Sequence, residues 1–470
     1  MKLEDILKKV SGYENLDSYN NEGMIDTWQS WWKGKVADFH NYSIFNGKRR
    51  VKQVRMSLNM AKKSAEDWAN LLINEKTDIT LSDAQSQKVL EDIFTKTKFW
   101  RKANEGVEKS FALGMGAFVV SVDNISTNED GTVGNDGEIK LVFCPAKKIR
   151  PITIEDGEIT ECAFINVSTN KTSIAIHLKD EYGNYVIHNI TANGTKEDNL
   201  TLNEDSYYSF NTNNNIAWFS IIKPNIANNL DVDSPLGISI FANAIDTLKE
   251  IDLIYDSYAT EFNLGKKRVF TNAEDVTIDT ASGEVVNAFD SNDISFYFLP
   301  SSPDGKLIIQ RDSDTLRVAE HSQALQTQLD IFSYLCGFGG QHYKFTQGTI
   351  TTATQVISEN SEMFRNKKKH EILIEEFLLS LVKCLIYVSN TFTPNKINEN
   401  VDISIKFDDS IIEDKESQKA SDRLDVASGI MPRAEYRAKW YNEDLKTAKK
   451  IIDEIENGNI IDDEPVITEE

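Results

Sequence analysis

The sequence predicts an α+β chain in which helical segments flank an antiparallel sheet, and three observations carry that prediction. Residues 55–110 place apolar side chains at helical spacing, and residues 117–222 switch to strand alternation. A glycine-containing loop then leads into a helix far longer than the usual three turns or so.

The first helical stretch runs from Arg55-Met56-Ser57-Leu58 into Ala65, Trp68, Ala69, Leu71 and Leu72. A second follows from Ser82 through Val89, Leu90, Ile93 and Phe94, and a third starts near Trp100 and ends before Gly114-Met115-Gly116. Strands follow at Phe118–Val122 and around Ile139, Leu141 and Phe143. Glu155-Asp156-Gly157-Glu158 is a hairpin turn between Ile152–Ile154 and Ile159–Ile165. Ile174, Ile176 and Leu178 alternate again before a turn near Tyr182-Gly183-Asn184 and the strand Tyr185–Ile190.

Ser234-Pro235 then signals a helix start, with the helix expected to end at Gly265. Residues 266–316 are turn-rich and mixed, and a helix is expected from about Thr315 to Cys336. The connection from Gly337 to Thr351 is longer than the usual two to eight residues between helices. Its glycines 337, 339, 340 and 348 give backbone freedom, while Phe338, Tyr343 and Phe345 are too apolar for a solvated tip. A long helix is expected from about Ala353 to Ser389, on the order of 55 Å at 1.5 Å per residue. Its second half carries the stripe Ile374, Phe377, Leu378, Leu381, Val382 and Leu385, whereas Ser358–His370 is mostly polar. Val401–Phe407 alternates as a half-buried strand, short helices follow, and the acidic tail 461–470 is expected to fray.

Charge narrows the function. The chain has 470 residues and a net charge of −23, with 74 acidic against 51 basic groups. A protein that grips duplex DNA neutralises phosphates with Lys and Arg, so tight non-specific binding is not expected. The imbalance is uneven, with 19 basic against 16 acidic residues over 1–110, 22 against 39 over 111–400 and 10 against 19 over 401–470. Cys144, Cys162, Cys336 and Cys384 form no CxxC pair, which favours reduced thiols. The N-terminus lacks a signal-peptide stretch, and the most apolar run, Phe377–Val388, is too short to span a bilayer. The expectation is a soluble chain made in the cytoplasm.

Motifs for chemistry fail one by one. The four Gly-Lys pairs have neither the preceding Gly nor the following Ser or Thr of a P-loop, which argues against a packaging ATPase. His370-Glu371 opens a zinc-protease motif, but Ile374 stands where the second ligand belongs. Gly237-Ile238-Ser239-Ile240 lacks the final Gly of a nucleophile elbow, having Phe241 instead. Ser126–Glu138 misses the end ligands of a calcium loop and reads as a solvated hairpin loop. A turn centred between Tyr182 and Gly183 would set His177 against His188, but two imidazoles without a third ligand do not make a zinc site. His40, His321 and His342 show no nearby Ser or Cys arranged for nucleophilic catalysis. No catalytic residue, metal or cofactor is expected.

Several stretches, taken in order, resemble the portal proteins of long-tailed double-stranded DNA bacteriophages, in the Gram-positive-infecting siphophage branch. They are Trp28-Gln29-Ser30-Trp31-Trp32-Lys33-Gly34, the Arg55–Ala61 segment, and Lys223-Pro224-Asn225-Ile226-Ala227-Asn228-Asn229 leading to Ser234–Phe241 and Ile251–Asp256. Thr351-Thr352-Ala353-Thr354-Gln355-Val356 opens the long helix, and the likeness spans roughly residues 28–457. By composition alone the tryptophan cluster reads as core or subunit contact rather than a DNA stacking surface.

The resemblance implies a portal-type subunit with a wing at 1–233, stem helices at 234–264 and 315–336, and a small mixed clip at 265–314. It further implies a tunnel loop at 337–352, the long helix and a return wing strand at 353–410, a helical crown at 411–460 and a tail at 461–470. The implied assembly is a dodecameric ring at one capsid vertex, a channel for DNA packaging and ejection. Implied partners are major capsid and scaffolding proteins, terminase, a head–tail adaptor and double-stranded DNA passing without sequence specificity, with no membrane. Gly339, Gly340, Tyr343, Lys344, Phe345 and Gly348 would be the tunnel-loop positions, and Lys266, Lys267 and Arg268 the clip contacts. Lys344, Lys367, Lys368 and Lys369 could give brief phosphate contacts, although Arg365–Lys369 first reads as a solvated helix face. The competing reading is another ring-forming virion connector or tail component, and a monomeric enzyme or carbohydrate-binding protein comes third.

Overall fold

The computed structural model describes residues 1–13, 22–45, 49–74, 77–126, 134–203, 206–264, 268–271, 276–278, 285–287, 296–298, 309–312, 315–344, 353–407, 415–441 and 443–456. Over 263–312, 353–360 and 415–418 it describes backbone alone. Two compact units emerge: residues 1–347 with 365–407, and residues 348–364 with 408–470.

The first unit opens with helices α1 (Leu3–Ser11), α2 (Glu22–Trp32) and α3 (Ala37–His40), and a hairpin of β1 (Asn41–Phe45) and β2 (Arg50–Val54). Then come α4 (Met60–Leu72), β3 (Asp78–Leu81), α5 (Ala84–Thr97) and α6 (Phe99–Leu113). Asp83 caps α5 by accepting from the Ser86 amide at 2.9 Å, close to the expected start at Ser82. Trp28 and Trp31 of the tryptophan cluster are buried, and the Trp32 indole donates to Glu108 at 3.1 Å. The cluster is core.

Strands β4 (Gly116–Asp123), β5 (Glu138–Pro145), β6 (Ile149–Glu155), β7 (Glu158–Val167), β8 (Lys171–Lys179), β9 (Tyr185–Asn193), β10 (Thr201–Leu202), β11 (Tyr208–Asn211) and β12 (Phe219–Ile222) form two antiparallel sheets. One runs β10-β9-β8-β7-β6 with β11 also on β9, and the other runs β12-β4-β5. The β6–β7 turn places Asp156 and Gly157 at φ 51° and 81°, the two positive values a tight I′ hairpin needs. One face of the larger sheet buries Ile174, Ile176 and Ile190 against Leu3, Ile6 and Leu7 of α1.

The expected His177–His188 pair does not form. His177 lies opposite Ile187, and Ile176 opposite His188. The connection is a five-residue turn in which Asp180 accepts from the Tyr182 and Asn184 amides, centred on Tyr182 itself. That one-residue difference sends the rings to opposite faces. His177 is buried edge-on between Phe164 and Phe219, and His188 bonds the Tyr207 hydroxyl at 2.9 Å.

Helix α7 (Ile245–Leu264) starts eleven residues later than the Ser234-Pro235 cue. Residues 236–241 instead cross the end of α6 as buried irregular backbone, and the Ile240 amide donates to the Phe111 carbonyl at 3.0 Å. A Cβ on Gly237 would stand 2.2 Å from the Gly114 carbonyl oxygen, so this crossing depends on two glycines. Short strands β13 (Arg268–Thr271), β14 (Val276–Ile278), β15 (Val285–Asn287), β16 (Phe296–Phe298) and β17 (Ile309–Asp312) follow. β13 pairs parallel with β16 and antiparallel with β17, while β14 pairs with β15.

Helix α8 (Val318–Leu335) precedes α9 (Ala353–Phe392), whose 40 residues extend about 60 Å at 1.5 Å each. Its apolar stripe, Ile374, Phe377, Leu378, Leu381 and Leu385, is buried as expected. Strand β18 (Ile403–Lys406) returns to pair with β3. In the second unit, α10 (Lys415–Ala427), α11 (Arg433–Tyr441) and α12 (Leu445–Glu456) carry local ties. The Trp440 indole donates to Asp422 at 2.8 Å, and Arg437 forks onto Glu443.

All four cysteines are free and buried, and burial pushes each thiol up. Among the described residues no helix is long and apolar enough to cross a membrane, and no group of His, Cys, Asp or Glu could hold a metal ion.

Candidate functional site

Helices α7 and α8 pack side by side, burying Leu248 and Ile251 of α7 and Leu329 and Phe332 of α8. Where β13–β17 branch off, Arg317 donates to both carboxylate oxygens of Glu261, at 3.1 and 2.7 Å. The Arg317 amide adds a third bond at 3.3 Å. These bonds hold the Glu261 carboxyl at about 2, well below the usual carboxylate range. The fork fixes the spacing of the two helix ends. Elsewhere on the pair, Leu253, Phe262, Leu316, Val318, Ile331 and Tyr334 remain exposed. Of the expected clip contacts, Lys266 and Lys267 lie outside the described residues. Arg268 begins β13 opposite Asp312, and its side chain lies outside them too.

Two turns into α7 lies a contact that the sequence did not signal. His40 and Asp252, 212 residues apart, bond at 3.0 Å and are both buried. The Val36 amide donates to His40 Nδ1 at 2.8 Å, which leaves the proton on Nε2, facing Asp252 Oδ2. The second Asp252 oxygen accepts from the Leu58 amide at 2.8 Å.

The loop after α8 is described as far as Lys344. Gly337 and Gly339 both sit at positive φ, 83° and 85°. Between them Phe338 turns inward, 1% exposed, with Trp68 and His342 stacked on it at 4.7 and 4.5 Å. The Trp68 indole donates to the Cys336 carbonyl at 3.0 Å, and the Tyr343 hydroxyl donates to Asp67 at 3.0 Å. Gln326 donates to the Tyr343 carbonyl, and Asn366 of α9 to that of Gly337, each at 2.9 Å. Burial pushes the Asp67 carboxyl up, but bonds from His342, Lys63 and Tyr343 outweigh it and hold the group below its usual range.

The loop aromatics agree with the reading that they are too apolar for a solvated tip. Phe338 and Tyr343 are buried in their own subunit, because Trp68 and Asp67 on α4 offer a stacking face and an acceptor. Gly340 has open space around it, and Lys344 is exposed and bonded to Gln341. Phe345 and Gly348 lie outside the described residues.

The basic run on α9 divides. Lys367 is 1% exposed and pairs with buried Glu371 at 2.7 Å. Lys368 reaches the other Glu371 oxygen at 3.1 Å. Burial removes Lys367 from the solvated face, while Arg365, Lys368 and Lys369 remain exposed. Lys369 is exposed, and its carbonyl accepts from Asn225 at 2.7 Å. His370 is buried edge-on to Trp68 and Phe111, and burial, with the Lys369 charge, holds its pKa down at about 3.

A family model described as "Phage portal protein, SPP1 Gp6-like" matches residues 14–459. The chain belongs to the SPP1 Gp6-like phage portal family. It is a structural protein, not an enzyme, and serves as the portal, a ring-forming connector of the phage particle through which DNA passes. No curated protein matches this portal chain. Among solved structures it is similar to a chain from the neck of a native GTA particle computed with C12 symmetry. The two are 8% identical with a TM-score of 0.47, over 92% of this chain and 97% of that one.

Proposed function

We propose that twelve copies of this portal chain close head to tail at one capsid vertex after folding in the host cytoplasm. Residues 1–233 form most of the wing, α7 and α8 the stem, 265–314 the clip, 337–352 the tunnel loop and the helices after 411 the crown. The clip meets terminase during packaging and the head–tail adaptor afterwards, while major capsid and scaffolding proteins surround the outer face. The observation that carries this reading is the α7–α8 pair. It is clamped at the clip end by Glu261 and Arg317, yet leaves Leu253, Phe262, Ile331 and Tyr334 exposed. Such a pair suits a stem whose neighbours cover its outer sides.

The channel is mainly acidic, following the net charge of −23, so DNA slides rather than sticks. With Lys367 and Lys368 held by Glu371, brief phosphate contacts fall to Lys344 and Lys369. Replacing Lys266, Lys267 and Arg268 together by alanine tests the clip assignment. The expected result is intact rings that no longer capture terminase or adaptor in pull-downs. Loss of the ring, with capture retained by the few rings formed, would overturn the assignment.

A further inference from the structure

The hairpin β1–β2 is poorly supported by its own subunit at one end and firmly fixed at the other. Its five cross-strand pairs run from Asn41↔Val54 to Phe45↔Arg50. Among the described residues neither strand pairs with a third. Phe45 is 66% and Val54 71% exposed, and Tyr42, Ile44 and Met56 are exposed as well. A two-stranded ribbon alone is marginally stable in water, and a free apolar edge invites pairing.

The base is different. Asp252 and Asp256, one turn apart on α7, accept from the Leu58 and Met56 amides at 2.8 and 3.0 Å. His40, which ends the helix before β1, bonds Asp252, and its carbonyl accepts from the Arg55 amide at 2.8 Å. Arg55 donates to the Phe39 carbonyl at 2.7 Å, with its guanidinium over the Phe39 ring at 4.2 Å. The arm therefore points in a fixed direction from α7.

Charge identifies the occupant. Residues 41–56 contain Lys48, Arg49, Arg50, Lys52 and Arg55 and no Asp or Glu, in a chain whose net charge is −23. A basic, apolar arm complements the acidic surface of another copy of the same chain. Nucleic acid would use the cations but would leave Ile44, Phe45 and Val54 in water. We infer that the β1–β2 hairpin is an assembly arm that docks on a neighbouring copy of this chain. The inference rests on the ring reading for its context and names a surface that the reading leaves open. Repeated head to tail, one arm per subunit would link each copy to the next.

The test uses the full chain with p-benzoylphenylalanine placed at Phe45, irradiated and analysed by denaturing gel and peptide mass spectrometry. Covalent dimers and higher multimers are expected, with adducts on acid-rich peptides of a second copy. A double variant, Phe45→Asp with Val54→Asp, is measured in parallel by mass photometry and circular dichroism. It should lose at least about tenfold of its assembled fraction and keep its spectrum, since both side chains lie in solvent within the subunit. Assembled protein without inter-copy adducts from position 45, and a double variant that assembles normally, overturns the arm and leaves the ring standing. Inter-copy adducts in a protein that never closes a ring would sink the ring reading and keep the arm. Normal assembly of the double variant with loss of DNA retention alone would assign the hairpin to nucleic acid and also overturn the inference.

Discussion

Arg317 forks across the ends of two helices to meet both oxygens of Glu261, at 3.1 and 2.7 Å, where the chain leaves α7 for strands β13–β17 and returns to α8. The Glu261 carboxyl is held at about 2, against 4.5 ordinarily. A depressed carboxyl contributes stability that is present above the unfolded value and lost as pH falls through the folded one. We expect Glu261→Gln to melt below the parent chain at pH 6, with the gap closing between about pH 4.5 and 2. A gap unchanged at pH 2.5 would show that the fork is not the source.

His40 and Asp252 anchor the N-terminal half of α7. Asp252→Ala orphans the His40 Nε2 proton and the Leu58 amide in a buried place, and should cost about 3–5 kcal/mol in urea unfolding. Asp252→Asn keeps an acceptor for one of them and should cost less. Equal losses in the two variants would contradict this account.

Phe338 should behave as a core residue. Phe338→Ala should cost about 3–5 kcal/mol and speed hydrogen exchange over residues 337–344. Lys344→Ala, at an exposed position two residues beyond the stack, should stay within about 0.5 kcal/mol. Slow exchange retained in Phe338→Ala would mean that Tyr343 and Asp67 hold the loop alone.

The buried pair on α9 invites a cycle. Lys367→Met leaves the Glu371 carboxylate with Lys368 alone in a buried site and should destabilise by about 3 kcal/mol. Adding Glu371→Leu should recover most of that loss, because an apolar pair removes the desolvation cost. Additive losses would instead show that Glu371 has its own stabilising role.

Much of this fold was legible in the sequence. Apolar spacing placed α4, α5 and α6 close to their observed limits, and strand alternation placed β4 to β9. Joint motif order pointed to the portal family, which the match over residues 14–459 bears out. The failures have different causes, some a partner far away in sequence and some a local turn or burial that spacing does not show. Ser234-Pro235 is a sound helix signal, but the backbone crossing of Gly237 on Gly114 took those residues for the core. The basic run at 367–369 reads as a solvated face, yet the fold buries Lys367 and Glu371 together. His177 and His188 lost their pairing to a turn whose length Asp180 sets. His40 and Asp252 left no local trace, and neither did the acceptor that α4 offers Tyr343.

The central claim is that this chain alone carries the contacts that close a ring. Mass photometry of the purified protein, over a hundredfold range of concentration and from low to high salt, tests it most directly. The account predicts a dominant closed-ring species of many subunit masses, with a central hole in stained images of the same sample. A protein that stays monomeric throughout that range, with no annular particles, would contradict it.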